Sequence, residues 1–87
     1  MKLLWAAAAR EDDLHWQQNH REIAGKLNLI LADVRPTPFK GPGEPAPSRD
    51  VSSGRRSRRI TGEHRLVYRI AGRAPDQRIE IVQCRYH

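Results

Sequence analysis

Cysteine, lysine and long apolar runs are all scarce in these 87 residues. One cysteine, Cys84, excludes an internal disulfide and a thiolate zinc site of four ligands, and it points to a reducing compartment. The longest apolar opening, "KLLWAAAA", meets charge at Arg10, too soon for a membrane span and weak as a signal peptide. The expectation is therefore a soluble cytoplasmic protein. No internal repeat is present, which excludes a solenoid. Cationic residues, by contrast, are in excess: sixteen Lys plus Arg oppose ten Asp plus Glu, for a net charge of +6. No amphipathic Leu/Phe helix carries those cations, so a polyanion such as RNA or DNA is the expected partner rather than a membrane. A chain of this length builds one domain with a modest core, and it gains stability from a partner or from self-association as a homodimer.

Periodicity divides the chain. Residues 1–6 read as an opening strand, and 7–35 read as a helical hairpin. In the second helix Ile23, Leu27, Ile30, Leu31 and Val34 recur at helical spacing, and Pro36 and Pro38 end it. The first helix has a thinner apolar stripe around Leu14 and Trp16, with "EDD" at 11–13 in its early turns and Asn19 as a cap between the helices. Adjacent acids diverge around a helix, so "EDD" is not read as a metal site. A Pro/Gly-rich segment fills 36–54; its core, "TPFKGPGEPAPSRD", holds four prolines and two glycines. From 55 to 87 the period changes to two, giving three strands. Leu66, Tyr68 and Ile70 fall on one face, with Val82, Cys84 and Tyr86 as their inward neighbours and Ile60 as the inward residue of the first strand. Ile79, Ile81, Gln83, Arg85 and His87 then fall on the other face, which parity shares with Arg65 and leaves uncovered. The fold class that follows is α+β: a strand and a two-helix hairpin packed on one face of a small, mainly antiparallel, four-stranded sheet. Trp5, Trp16 and Cys84 are core residues in this reading, and His15, His20 and His64 lie at the surface.

Eight arginines and no lysine lie between Arg49 and Arg73, opposed only by Asp50 and Glu63. A charge run is most often a solvated face, but exclusive use of the guanidinium suits bidentate phosphate contact. Arg65 and His87 together suggest cleavage of RNA by its own 2′-OH. Such a reaction needs a base for the 2′ proton, a cation for the phosphoryl group and an acid for the 5′ oxygen. Arg65 fits the second role and His87 the third. The scheme requires neither metal nor cofactor.

The spacing "TPF-G-G-P-P", then "SG--SRRI--EHRLVY", then "CRYH" resembles the YoeB/Txe family of toxins within the RelE/ParE-type superfamily, over essentially the whole chain. That resemblance implies a ribosome-dependent endoribonuclease acting on messenger RNA in the decoding site. It also implies neutralisation by a small antitoxin whose acidic, disordered tail folds over the toxin. The Pro/Gly-rich stretch becomes an active-site loop, stiffened so that side chains are presented at low entropic cost. By motif, Arg65 and His87 match the family's catalytic arginine and histidine, and Arg49 matches a loop lysine on nucleic acid; Arg58 and Arg59 of "SRRI" complete the expected RNA contacts. Two parts depart from the pattern. The family's "GKPEPLK" reads "GEPAPSR" here, so the general-base glutamate position is Ala46, and no tyrosine follows His87. The hairpin around "GRAPDQ" is also four residues longer, and Arg56 replaces an aromatic. The expected chemistry is attenuated or lost, unless Glu44, two residues away and displaced by about 6.5 Å in an extended loop, substitutes, or basic residues alone suffice. A terminal carboxylate beside the His87 ring would favour its protonated, acid form. The rival class is a binding protein without catalysis: a decoy for an antitoxin, or a ParE-like topoisomerase poison.

Overall fold

The computed structural model describes residues 2–36, 46–47, 55–73 and 75–85. Strand β1 (Lys2–Trp5) leads through Ala6 into helix α1 (Ala7–Asn19), and His20 alone separates α1 from helix α2 (Arg21–Val34). Strands β2 (Ala46–Pro47), β3 (Arg55–Arg59), β4 (Arg65–Ala71) and β5 (Arg78–Gln83) follow. They make one sheet in the order β1-β5-β4-β3-β2, with β1 parallel to β5 and every other pair antiparallel. The four expected strands are thus joined by a two-residue fifth at the β3 edge.

The helices carry the chain from β1 toward β2 at the opposite edge of the sheet, and β5 returns to lie parallel beside β1. Their apolar stripes meet the sheet in one core. Trp16, Leu27, Leu31 and Val34 from the helices pack with Leu66, Tyr68, Ile79, Ile81 and Cys84, all buried, and Ile60 joins them just beyond β3. Each such side chain contributes about 1.5–3 kcal/mol when fully buried, so this cluster supplies most of the driving force available to so small a domain. Asn19 is not the cap between helices. It is the last residue of α1, and its amide donates to the His15 carbonyl at 3.1 Å. His64 is not at the surface either; it is buried with its ring edge-on to Trp16, 4.5 Å between centroids. Trp16 itself lies in the core, whereas Trp5 is half-buried with the Arg10 guanidinium 5.9 Å from its ring.

Strand β5 departs from simple alternation. Ile79 and Ile81 were expected away from the helices, yet both are fully buried in the core opposite Ile70 and Tyr68. The ladder then steps from Tyr68↔Ile81 to Val67↔Gln83, so Val82 is the extra residue of a β-bulge. A bulge shifts side-chain parity by one, which returns Cys84 to the core while leaving Val82 half-buried. Two β-branched side chains thereby reach the core instead of one. The face opposite the helices is also less open than alternation suggests, because Ser57 is 4% exposed and Val67 1%.

After β4 the chain turns through Gly72 at φ +83°, where an added Cβ would lie 2.7 Å from the Asp76 carbonyl oxygen. Left-handed backbone costs a non-glycine residue about 1–3 kcal/mol, and the close carbonyl adds to that. Gly72→Ala should therefore lower the urea midpoint by the equivalent of about 2 kcal/mol or more with an unchanged slope; an unaltered midpoint would show that this turn relaxes freely.

Candidate active site

Strand β3 reads Arg-Arg-Ser-Arg-Arg, so alternation sends its cations to opposite faces. Arg56 and Arg58 pair with Tyr68 and Leu66 on the helix side. Arg58 is anchored there: its Nη2 lies 2.9 Å from Asp33 Oδ2 near the end of α2, and its side chain is 11% exposed. The expectation that Arg58 contacts RNA beside Arg65 does not fit this placement, because the residue joins α2 to the sheet. Tyr68 is equally structural. Burial raises its phenol above the ordinary value, and Arg58 and Arg56 only partly offset that.

On the other face stand Arg55, Ser57 and Arg59, opposite Arg69, Val67 and Arg65. Arg65 opens β4, and its Nε and Nη2 both donate to Ser57 Oγ, at 3.2 and 3.1 Å. Two of five guanidinium donors on one buried hydroxyl fix the plane of the group by a single edge. Ser57 is also the register partner of Ala46. Directly opposed antiparallel residues have Cα atoms about 4.5–5.5 Å apart, so Ala46 and the anchored arginine both adjoin Ser57. Sequence reasoning missed Ser57; the available signal was a small polar residue sharing strand parity with Arg55 and Arg59.

The same face opposes like charges twice, Arg55 to Arg69 and Arg59 to Arg65. Cross-strand like charges are unfavourable. Glu80 relieves the first pair, with Oε1 at 3.1 Å from Arg69 Nη2 and 3.7 Å from Arg78 Nη2. No described carboxylate pairs with Arg59 or Arg65. Among the described residues this cation pair has no anion, and one member is locked on a buried hydroxyl, a geometry with the charge and donors that phosphate contact requires.

Glu44, Arg49 and His87 lie outside the described residues. Arg85 is described, and it departs from expectation: its guanidinium lies 5.8 Å from the Trp16 ring centroid, toward the helices. The bulge at Val82 breaks the simple alternation of β5 before Arg85. Covalent reach supplies a different constraint. Arg65 and Arg85 lie two steps beyond the Val67↔Gln83 pair, and two residues span at most about 7 Å. Cys84 is buried, and that burial, reinforced by Asp12 and Asp13, pushes its thiol up to about 12, against thiolate formation. Among the described residues no His/Cys/Asp/Glu group could hold a metal ion, and no helix is long and apolar enough to cross a membrane.

Residues 5–87 match the family model for the YoeB-like toxin of bacterial type II toxin–antitoxin systems. The chain belongs to the YoeB toxin family. Its relatives include Toxin YoeB of Escherichia coli O6:H1, 46% identical over 87 residues that span all of this chain and 99% of that protein. A YoeB/ParE toxin from Agrobacterium tumefaciens superposes with a TM-score of 0.88 at 41% identity, covering 100% and 99% of the two chains. The Staphylococcus aureus YoeB dimer superposes at 0.86 with 33% identity, covering 100% of this chain and 97% of that one; the same toxin has been solved as a heterotetrameric complex with YefM. This YoeB-family chain is accordingly the toxin of a toxin–antitoxin system, with a two-helix, mixed-sheet fold.

The two faces of β3 make opposite predictions for stability. Arg58→Ala should destabilise the toxin by about 1 kcal/mol, since it removes the 2.9 Å ion pair that ties α2 to the sheet. Arg59→Gln should stabilise it by about 0.2–1 kcal/mol at low salt, and high salt should erase that gain. Urea denaturation at two ionic strengths measures both, and equal effects of the two substitutions would contradict the division of faces.

Proposed function

We propose that this toxin is built as a ribosome-dependent messenger-RNA endoribonuclease and that its chemistry is attenuated at the base position. One observation carries the reading: Arg65, anchored on Ser57, adjoins the register position where this chain has Ala46. Arg65 neutralises the scissile phosphoryl group, and its fixed plane means that little reorganisation accompanies the reaction. Arg59 holds the adjacent phosphate, and Arg49 extends the track along the loop. His87 protonates the departing 5′ oxygen. The methyl group of Ala46 can accept no proton. Loss of a positioned general base costs about 10²–10⁴-fold in rate. What remains draws on positioning of the message by the ribosome, with Glu44 as a distant substitute base.

The same cationic face suits an acidic, disordered antitoxin tail that folds on contact and competes with RNA for Arg59 and Arg65. The S. aureus relative's complex with YefM supports that reading, and the dimer of that relative supports self-association. Ala46 favours one second reading, in which the chain binds antitoxin without cutting RNA and acts as a decoy.

Induction of the parent chain and of Ala46→Glu, each with and without a tyrosine after His87, separates these readings by growth and by primer extension on cellular messages. The expected outcome is weak or absent cutting by the parent, and codon-linked cuts with growth arrest from the Ala46→Glu variant. Absence of cuts from every variant, with folded protein accumulating, would reject the nuclease scaffold in favour of the decoy. DNA-damage signalling without cuts would point instead to a topoisomerase target.

A further inference from the structure

The last described residues of the chain are held by α1 through four contacts on two consecutive residues. The Cys84 amide donates to Asp12 Oδ2 at 3.3 Å, and the Cys84 carbonyl accepts from Trp16 Nε1 at 3.0 Å. The Cys84 thiol lies 3.6 Å from the Ala9 carbonyl, and the Arg85 guanidinium sits 5.8 Å from the Trp16 ring centroid. Ala9, Asp12 and Trp16 share one helix face, since residues three and four apart lie together. Strand β5 ends at Gln83, so the Cys84 backbone groups would lack ladder partners, and α1 supplies a carboxylate and an indole instead. Burying such a group without a partner costs about 1–3 kcal/mol. Trp16 is itself wedged, with His64 at 4.5 Å, His15 at 5.0 Å and His20 at 5.8 Å around its ring.

None of these α1 residues faces the Arg65–Ser57 site. Their common object is the point from which the final two residues depart, and that point stands level with the start of β4. We infer that Asp12 and Trp16 are positioning residues: they fix the Cys84–Arg85 backbone, and so limit where the His87 imidazole can go relative to Arg65. The inference rests on the proposed role of His87, but its test does not require any RNA to be cut.

The full-length chain is compared with Trp16→Phe, Asp12→Ala and Asp12→Asn by ¹⁵N relaxation of the backbone amides. Trp16→Phe keeps a ring and deletes the indole donor; Asp12→Asn keeps an acceptor oxygen and deletes the charge. The parent should show order parameters near the rigid value of about 0.85 at Cys84 and Arg85. Asp12→Ala and Trp16→Phe should drop below about 0.6 there, with β3 and β4 amides unchanged. Asp12→Asn should return the parent values, which a general loss of stability would not do. Parent Cys84 and Arg85 already below that level, or their order unaltered in folded Asp12→Ala, would overturn the inference. Should Trp16→Phe fail to fold, the Asp12 pair alone decides. A clamp confirmed by relaxation in a chain that never cuts RNA, even after Ala46→Glu, would leave the clamp standing and reject only the nuclease reading.

Discussion

One guanidinium on one buried hydroxyl organises the sheet face away from the helices. Arg65 reaches across the β3–β4 ladder and sets two N–H groups on Ser57 Oγ. Ser57 cannot swing away, because it is buried mid-strand between two paired neighbours. The arginine is thus held by an uncharged acceptor, which orients it without neutralising it. A carboxylate in that place would have satisfied the cation and abolished its pull on phosphate. Arg58 shows the contrast one residue along, where Asp33 consumes the charge for packing.

Strand alternation explains how a run of arginines serves both purposes. Successive residues of β3 look to opposite sides, so "RRSRR" sends Arg56 and Arg58 toward α2, and Arg55 and Arg59 toward the face where Arg65 and Arg69 stand. The helix-side pair lies against Tyr68 and Leu66 in the core, which explains why an apparently solvated charge run is half-buried. The outer face opposes cations in register, an arrangement that disfavours the free protein and favours an anionic ligand.

Much of this was legible before any coordinates. The 3.6-residue stripe of α2, the alternation of Leu66, Tyr68 and Ile70, and Ile60 as an inward residue all follow from apolar spacing, because burial of those side chains dominates the energetics. Arg65 could be assigned to the face away from the helices for the same reason. The failures share a cause as well. Alternation presumes an unbroken ladder, so the bulge at Val82 misplaced Ile79 and Ile81, and Arg85 turns toward Trp16. His64 was misjudged because an imidazole gives no periodic signal, and only Trp16, far away in sequence, makes its burial favourable. The Arg58–Asp33 pair and the Arg65–Ser57 fork are tertiary facts, separated by 25 and 8 positions, and composition cannot tell one arginine of such a run from the next.

Ala46 gives the site its particular interest. Its register partner Ser57 holds Arg65 independently of the residue at position 46, so the two positions are separable in this fold. A double-mutant cycle in unfolding free energy measures the Arg65–Ser57 coupling directly, using Ser57→Ala, Arg65→Met and the pair. The fork predicts a coupling of about 0.5–1.5 kcal/mol. Strict additivity of the two substitutions would contradict it, and with it the claim that Ser57 aims the guanidinium.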